Sequence, residues 1–283
     1  MSPVVLGQRY ELLREIASGA MGAVFEARDQ QLGVSVAVKM LRPELAADGA
    51  IRRRFHRESS ILRAIEHPAV VRVLDVGKDE DDRAYTVMEL LRGETLEARI
   101  QREGRIDAKH LLPILLTIAD ALAAVHAQGV VHGDLKPANV ILLDASECPV
   151  RLVDFGLSKV EGLDRLTRTG ELAGTPIYMA PELVTGGAEP DARIDLYALG
   201  VIAYEALSGA TPFAMHKHPG QLMFDIVMGK TTPLDVRVPE IPKSIVDAVM
   251  QAIRPAREER PNSATLLRAQ WARAWQMSQR QER

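Results

Sequence analysis

The sequence predicts an α+β chain built as two lobes: a small β-rich N-lobe with one key helix, and a larger α-helical C-lobe. Three observations predict it. Over the first ninety or so residues, apolar and polar positions alternate between turn residues, which is the period of strands. After Leu91 the apolar positions recur at helical spacing instead. No low-complexity linker and no internal repeat separates the two patterns, so the boundary falls at Glu89-Leu90-Leu91, giving lobes of 1–91 and 92–283.

Element by element, "YELLREIASGAMGAVFEARD" alternates around a Gly-rich turn, and "SVAVKML" is a short β-branched strand. "GAIRRRFHRESSILRAI" is the one N-lobe helix, ended by the breaker "EHP". "VVRVLDVGKDEDDRAYTVMEL" reads as two strands around an acidic turn. Helical periodicity then covers 95–103, 109–128, 194–208, 243–254 and 263–277. The most apolar stretch, 111–131, is interrupted by Pro113, Asp120 and His126. Its clean part is too short to cross a bilayer, so it reads as a buried helix and no membrane segment is expected.

Bulk properties narrow the function classes. With 283 residues, 47% hydrophobic and 26% charged, the chain can bury real cores as one large domain or two lobes. A net charge of −3 supplies no electrostatic reason for a nucleic-acid partner. The single cysteine, Cys148, excludes an internal disulfide framework and fits a reducing compartment. "MSPVVLGQRYELL" has no basic region before a long apolar run, so no secretory signal is expected and the location is expected to be cytoplasmic.

Several residues could carry chemistry. Gly19 and Gly22 in "IASGAMGAV" allow a tight turn whose N–H groups approach phosphate oxygens, though a plain hairpin turn has the same composition. Lys39 interrupts a β-branched strand, and Glu58 lies on the N-lobe helix, where a solvated charge is the ordinary reading. "VVHGDLKPANVIL" places Asp134, Lys136 and Asn139 between apolar runs, in a chain whose only asparagines are Asn139 and Asn262. A surface turn would use the same residues. Asp134 and Asp154 each read as closing an apolar strand, and such oxygens beside Asn139 suit Mg²⁺.

In this order the motifs resemble the eukaryotic-like (Hanks-type) serine/threonine protein kinases, from about Tyr10 to Trp271. They read "SGAMGAV", "VAVKML", Glu58, "HGDLKPAN", "DFG" at 154–156, "APE" at 180–182, "DLYALG" and Arg260. The resemblance implies a bilobal protein-kinase fold with its active site in the interlobe cleft. It also implies transfer of the γ-phosphoryl group of ATP, with Mg²⁺, to Ser or Thr hydroxyls of a protein substrate. By resemblance, Lys39 pairs with the α- and β-phosphates and is held by Glu58. Asn139 and Asp154 ligate the metal, Asp134 accepts the substrate proton, and Lys136 neutralises charge on the moving group. Thr175 contacts Asp134 and Lys136. Ile16, Gly19, Gly22, Val24, Ala37, Met88, Glu89, Leu91, Glu94 and Ile141 line the nucleotide, with Met88 as gatekeeper, 89–91 as hinge and Glu94 reaching the ribose. Glu182 pairs with Arg260, and Asp195 holds the backbone of the "HGD" loop. A bacterial source and self-association for autophosphorylation are further expectations.

Two positions depart from the pattern. Ala17 replaces the first loop glycine. Gly133 replaces the Arg that usually meets an activation-loop phosphate, so Thr167 and Thr169 are expected to matter less for rate than Thr175. "HGD" also occurs in aminoglycoside-type phosphotransferases, but "GTPIYMAPE" supplies a protein-substrate platform that those enzymes lack. A pseudokinase scaffold is the other alternative, and the intact set Lys39, Glu58, Asp134, Asn139 and Asp154 speaks against it. "MGKTT" at 228–232 lacks the earlier glycine of a phosphate loop, "HKH" at 216–218 has no third ligand cluster, and "RRRFHR" at 52–57 is a basic helix face, with Arg53, Arg54 and His56 as alternative phosphate partners.

Overall fold

The computed structural model describes residues 4–19, 22–144, 147–155, 176–186, 191–214 and 218–281. The chain divides into two compact units, Met1–Arg92 and Gly93–Arg283.

The first unit is an antiparallel sheet in the order β1-β2-β3-β4-β6-β5. Its strands are β1 (Val5–Leu6), β2 (Tyr10–Ser18), β3 (Gly22–Asp29), β4 (Val34–Leu41), β5 (Val73–Lys78) and β6 (Ala84–Glu89). Side chains alternate across a strand, and here the alternation sorts the unit into two faces. Val36, Val38 and Met40 of β4 join Tyr85 and Val87 of β6 in one core with Leu6, Tyr10 and Ala27. On the other face, Leu41 and Ala84 pack with Ala46, Ile51 and Phe55. Ala46 ends α1 (Pro43–Ala46), while Ile51 and Phe55 belong to α2 (Gly49–Arg63). Asp48 caps α2 by accepting from the N–H groups of Ala50 and Ile51. Asp29 fixes the β3–β4 turn: buried, it accepts two bonds from Arg9 and the N–H groups of Gln31 and Leu32.

The second unit holds a small sheet in the order β7-β8-β9 (Gly93–Thr95, Val140–Leu143, Val150–Leu152) and a helical body. The body comprises α3 (Leu96–Glu103), α4 (Ala108–His126), α5 (Pro181–Thr185), α6 (Arg193–Ser208), α7 (Pro219–Met228), α8 (Leu234–Arg237), α9 (Lys243–Ala252) and α10 (Ala264–Gln281). Helix α6 is buried on nearly every side, as expected of a helix apolar all round. Gly200 lets it approach α9, because a Cβ there would stand 2.8 Å from that of Ala252. Helix α4 is long and apolar enough to cross a membrane by length and composition. Leu111, Leu115, Ile118, Leu122 and Val125 are nevertheless buried in its own unit, as the sequence reading of a core helix expects.

Three expectations change. Thr95 caps α3 rather than starting it, accepting from Ala98 N–H. The short helices α1, α5, α7 and α8 were not legible, because three begin with proline at the first turn and all are too short or too apolar to show a clean period. No strand precedes Asp134: 130–136 is irregular, and its N–H groups go to side chains instead of a ladder.

Candidate active site

In the first unit, register decides which residues share a face. Directly opposed residues point the same way. Val24 of β3, Lys39 of β4 and Thr86 of β6 are successive cross-strand partners, and beside them Ala37 opposes Met88. These five therefore line one face of the sheet, the face that carries α2. The contact is explicit: Ser59 Oγ and Thr86 Oγ1 lie 2.8 Å apart in a buried hydroxyl pair. Glu58 lies three residues after Phe55, which packs on this face, and four before buried Leu62, so helical spacing puts it on the same side of α2. At the Gly-rich turn, Gly19 N–H donates to Gly22 O at 2.9 Å, and Arg42 Nε donates to Gly19 O at 2.8 Å. Gly22 has no room for a side chain, since a Cβ would fall 1.9 Å from Met40 O. Ile16 is exposed at the end of β2. At the end of β6, Glu89 accepts from Arg72 N–H and donates its own N–H to Arg72 O, with half-buried Leu91 beyond.

In the second unit the polar residues converge on the loop 130–139. Lys136 Nζ donates to Asp134 Oδ2 at 3.0 Å, and Asn139 Nδ2 donates to Asp134 O at 2.8 Å and to Oδ2 at 3.3 Å. Asp195, 1% exposed on α6, accepts the N–H groups of His132 at 2.7 Å and Gly133 at 2.9 Å. It also accepts from His126 Nε2 at 2.8 Å. Gly133 is left-handed at φ 72°, which glycine adopts without strain. His132 is wholly buried against the Phe155 ring, 4.5 Å between centroids. Its Nε2 faces Val153 O at 3.1 Å and so donates, leaving Nδ1 to accept Asp134 N–H. Burial pushes its pKa below the ordinary 6.5, which keeps the ring neutral in this arrangement.

A hard divalent cation fits the donor set here. The Asn139 amide nitrogen is committed to Asp134, which leaves its carbonyl oxygen as a ligand. Val153 N–H donates to Asn139 O at 3.0 Å, tying Asn139 to the residue before Asp154. Asp154 itself is left-handed at φ 55°, a conformation that costs a non-glycine residue about 1 kcal/mol or more. Among the described residues no cluster of three His, Cys, Asp or Glu could hold a metal alone. Two protein oxygens completed by phosphate and water match the habit of Mg²⁺.

Beyond the loop, Arg260 makes a bidentate pair with Glu182, both contacts 2.8 Å, with the Arg260 side chain fully buried over the Tyr197 ring. Tyr178 Oη donates to Glu205 Oε2 at 2.6 Å, and burial raises the pKa of both groups. Ile141 opposes Thr95, whereas Glu94 opposes Leu142 and binds Arg99 at 2.5 Å and Arg102 at 2.8 Å. Thr167, Thr169, Thr175, Gly156 and His216 lie outside the described residues. The "MGKTT" stretch is the end of α7 and a loop, with Lys230 Nζ 4.8 Å from the Phe224 ring. Sequence reasoning missed His126, His132 and the Ser59–Thr86 pair. His126 offered only its interruption of an apolar run and His132 its place at the head of "HGD", while Ser59 and Thr86 offered no signal.

Residues 10–272 match the model of the protein kinase domain. The chain is 36% identical over 92% of its length to the serine/threonine-protein kinase pkn2 of Myxococcus xanthus, of which it covers 32%. It is 41% identical to PknA of Mycobacterium tuberculosis (76% of this chain, 51% of that protein) and 38% identical to PkaB of Streptomyces coelicolor (92% and 62%). The chain thus spans about a third to three fifths of the length of these relatives. Among solved structures it is similar to the PknI kinase domain of Mycobacterium tuberculosis, with a TM-score of 0.74 at 26% identity over 97% of this chain and 98% of that one.

Proposed function

The chain belongs to the protein kinase domain family and has its fold, and from that premise we propose that it is a serine/threonine protein kinase using Mg-ATP. The carrying observation is the Asp134 carboxylate, bonded to Lys136 and Asn139 on a loop whose backbone is anchored by Asp195. In this reading Asp134 orients the substrate hydroxyl and takes its proton, and Lys136 balances negative charge beside it. Asn139 and Asp154 would hold the cation, which when bound neutralises charge on the phosphates. Lys39, kept in place by Glu58, meets the α- and β-phosphates, with Gly19 and Gly22 bringing backbone N–H groups up to them. Ile16, Val24, Ala37, Met88 and Ile141 enclose the adenine, with backbone contacts from Glu89 to Leu91. The ribose role of Glu94 has internal competitors in Arg99 and Arg102, which already occupy its carboxylate. Thr175 bridges Asp134 and Lys136 in the same proposal.

A protein substrate, self-association for autophosphorylation and a cytoplasmic location belong to this proposal; the names of the relatives support the substrate class, and the single cysteine fits a reducing compartment. The test is incubation with γ-labelled ATP and Mg²⁺, on the protein itself and on a peptide library, followed by mass spectrometry. Phosphoserine or phosphothreonine is expected. Dominant phosphotyrosine, or phosphorylated aminoglycoside without a protein product, overturns the substrate class. Nucleotide binding without any turnover supports the scaffold reading instead.

A further inference from the structure

The buried hydroxyl pair of Ser59 and Thr86 has no part in the chemistry described above, yet it sits beside two residues that do. Ser59 is 6% exposed and Thr86 5%, and their oxygens are 2.8 Å apart. Their surroundings are apolar: Leu41, Ala84, Ile51 and Phe55 pack on this face of the sheet. Apolar contacts alone tolerate sliding and rotation of a helix on a sheet, because they have no direction. A hydrogen bond in an apolar layer does have one, since a shift that breaks it leaves a buried hydroxyl unsatisfied. Thr86 directly opposes Lys39, and Ser59 follows Glu58. The pair therefore joins the strand neighbour of one proposed catalytic residue to the chain neighbour of the other.

We propose that Ser59 and Thr86 are positioning residues that set the rotation and register of α2 on the sheet, and so keep Glu58 directed at Lys39. This rests on the kinase reading for its activity readout, though not for its structural one. Helix α2 also meets the sheet through Ile51 and Phe55, both N-terminal to Glu58, and through the Arg63–Asp75 pair at its last residue, 3.4 Å apart. The first contact has no direction, and the second is a long bond from a largely exposed arginine.

The experiment compares Ser59→Ala, Thr86→Val, the double variant and the conservative Ser59→Thr. Each is measured for thermal stability, for hydrogen exchange of the amides of 55–62, and for kcat and KM for ATP. Each single apolar variant strands one hydroxyl and is expected to lower both Tm and kcat/KM. The double variant strands none, so its Tm returns close to that of the wild type. A positioning role then leaves kcat/KM for ATP about 5-fold or more below wild type, with faster exchange in 55–62, whereas Ser59→Thr keeps both near wild type. A double variant with wild-type kcat/KM and wild-type exchange overturns the proposal. Should the wild-type protein transfer no phosphate at all, the kinase reading fails, and the exchange rates alone decide whether the pair positions α2: unchanged exchange in the double variant refutes it.

Discussion

Lys39 and Asp134 present the same problem, a charged side chain held at a fixed place, and the two units solve it differently. Lys39 stands in the middle of β4, where ladder bonds to β3 and β6 satisfy the backbone and fix every neighbour by register. Asp134 stands in an irregular segment with no ladder. Its neighbours' N–H groups are taken by a carboxylate from a buried helix, and its own by the ring of His132. Accordingly, the second unit buries His132, Asn139, Asp195 and Arg260 close to its motifs, while among the described residues the face beside Lys39 buries the hydroxyl residues Ser59 and Thr86. Irregular backbone is costly to bury unless each donor finds a partner. A catalytic loop therefore needs polar supports that a catalytic strand does not.

The largest test of this contrast is Asp134→Asn. It should lower kcat about 10²–10⁴-fold with little change in ATP affinity, because the base is lost while the loop bonds to backbone atoms remain. Calorimetry with ATP and a peptide kinase assay separate the two quantities, and unaltered kcat removes Asp134 from the mechanism.

Arg260→Met probes the supports themselves. The Arg260 side chain has no exposure and that of Glu182 is 10% exposed, so removal should cost about 3–5 kcal/mol of stability by leaving a buried carboxylate unpaired. Chemical denaturation measures it. Adding Glu182→Met should recover part of the loss; a loss under 1 kcal/mol in the single variant would mean that this anchor contributes little.

Third, His132 makes the loop sensitive to acid. Its folded pKa lies below 6.5, so the unfolded chain binds the proton more readily. Stability attached to this group is full above about pH 6.5 and declines as pH falls below it. Tm should drop between pH 7 and pH 5, and by less in His132→Phe. Equal drops in both proteins would assign the acid sensitivity to other groups.

The smallest effect is expected at Gly133. Gly133→Ala should cost about 1 kcal/mol from its left-handed φ, and Gly133→Asn less, since Asn tolerates that region better. Urea midpoints compare the three proteins, and a neutral alanine would show that the loop relaxes to negative φ.

The motifs, the two-part division of period and the pairing partners Glu182, Arg260 and Asp195 were legible because each is a residue type at a family spacing, and types and spacings are properties of the chain alone. The same holds for α4, whose apolar run announces a buried helix. Other features were decided only in three dimensions. That His126 and Asp195, 69 residues apart, share a bond depends on how α4 meets α6. That Glu94 is occupied by arginines depends on which face of a three-residue strand it takes. Ser59 and Thr86, two ordinary hydroxyl residues 27 positions apart, become a pair only when α2 lies on β6. The physical reason is common to all three. Local pattern sets which faces are apolar, since apolar spacing is a one-dimensional signal, but a single polar side chain gains its partner from the packing of distant elements, and nothing in its own neighbourhood specifies it.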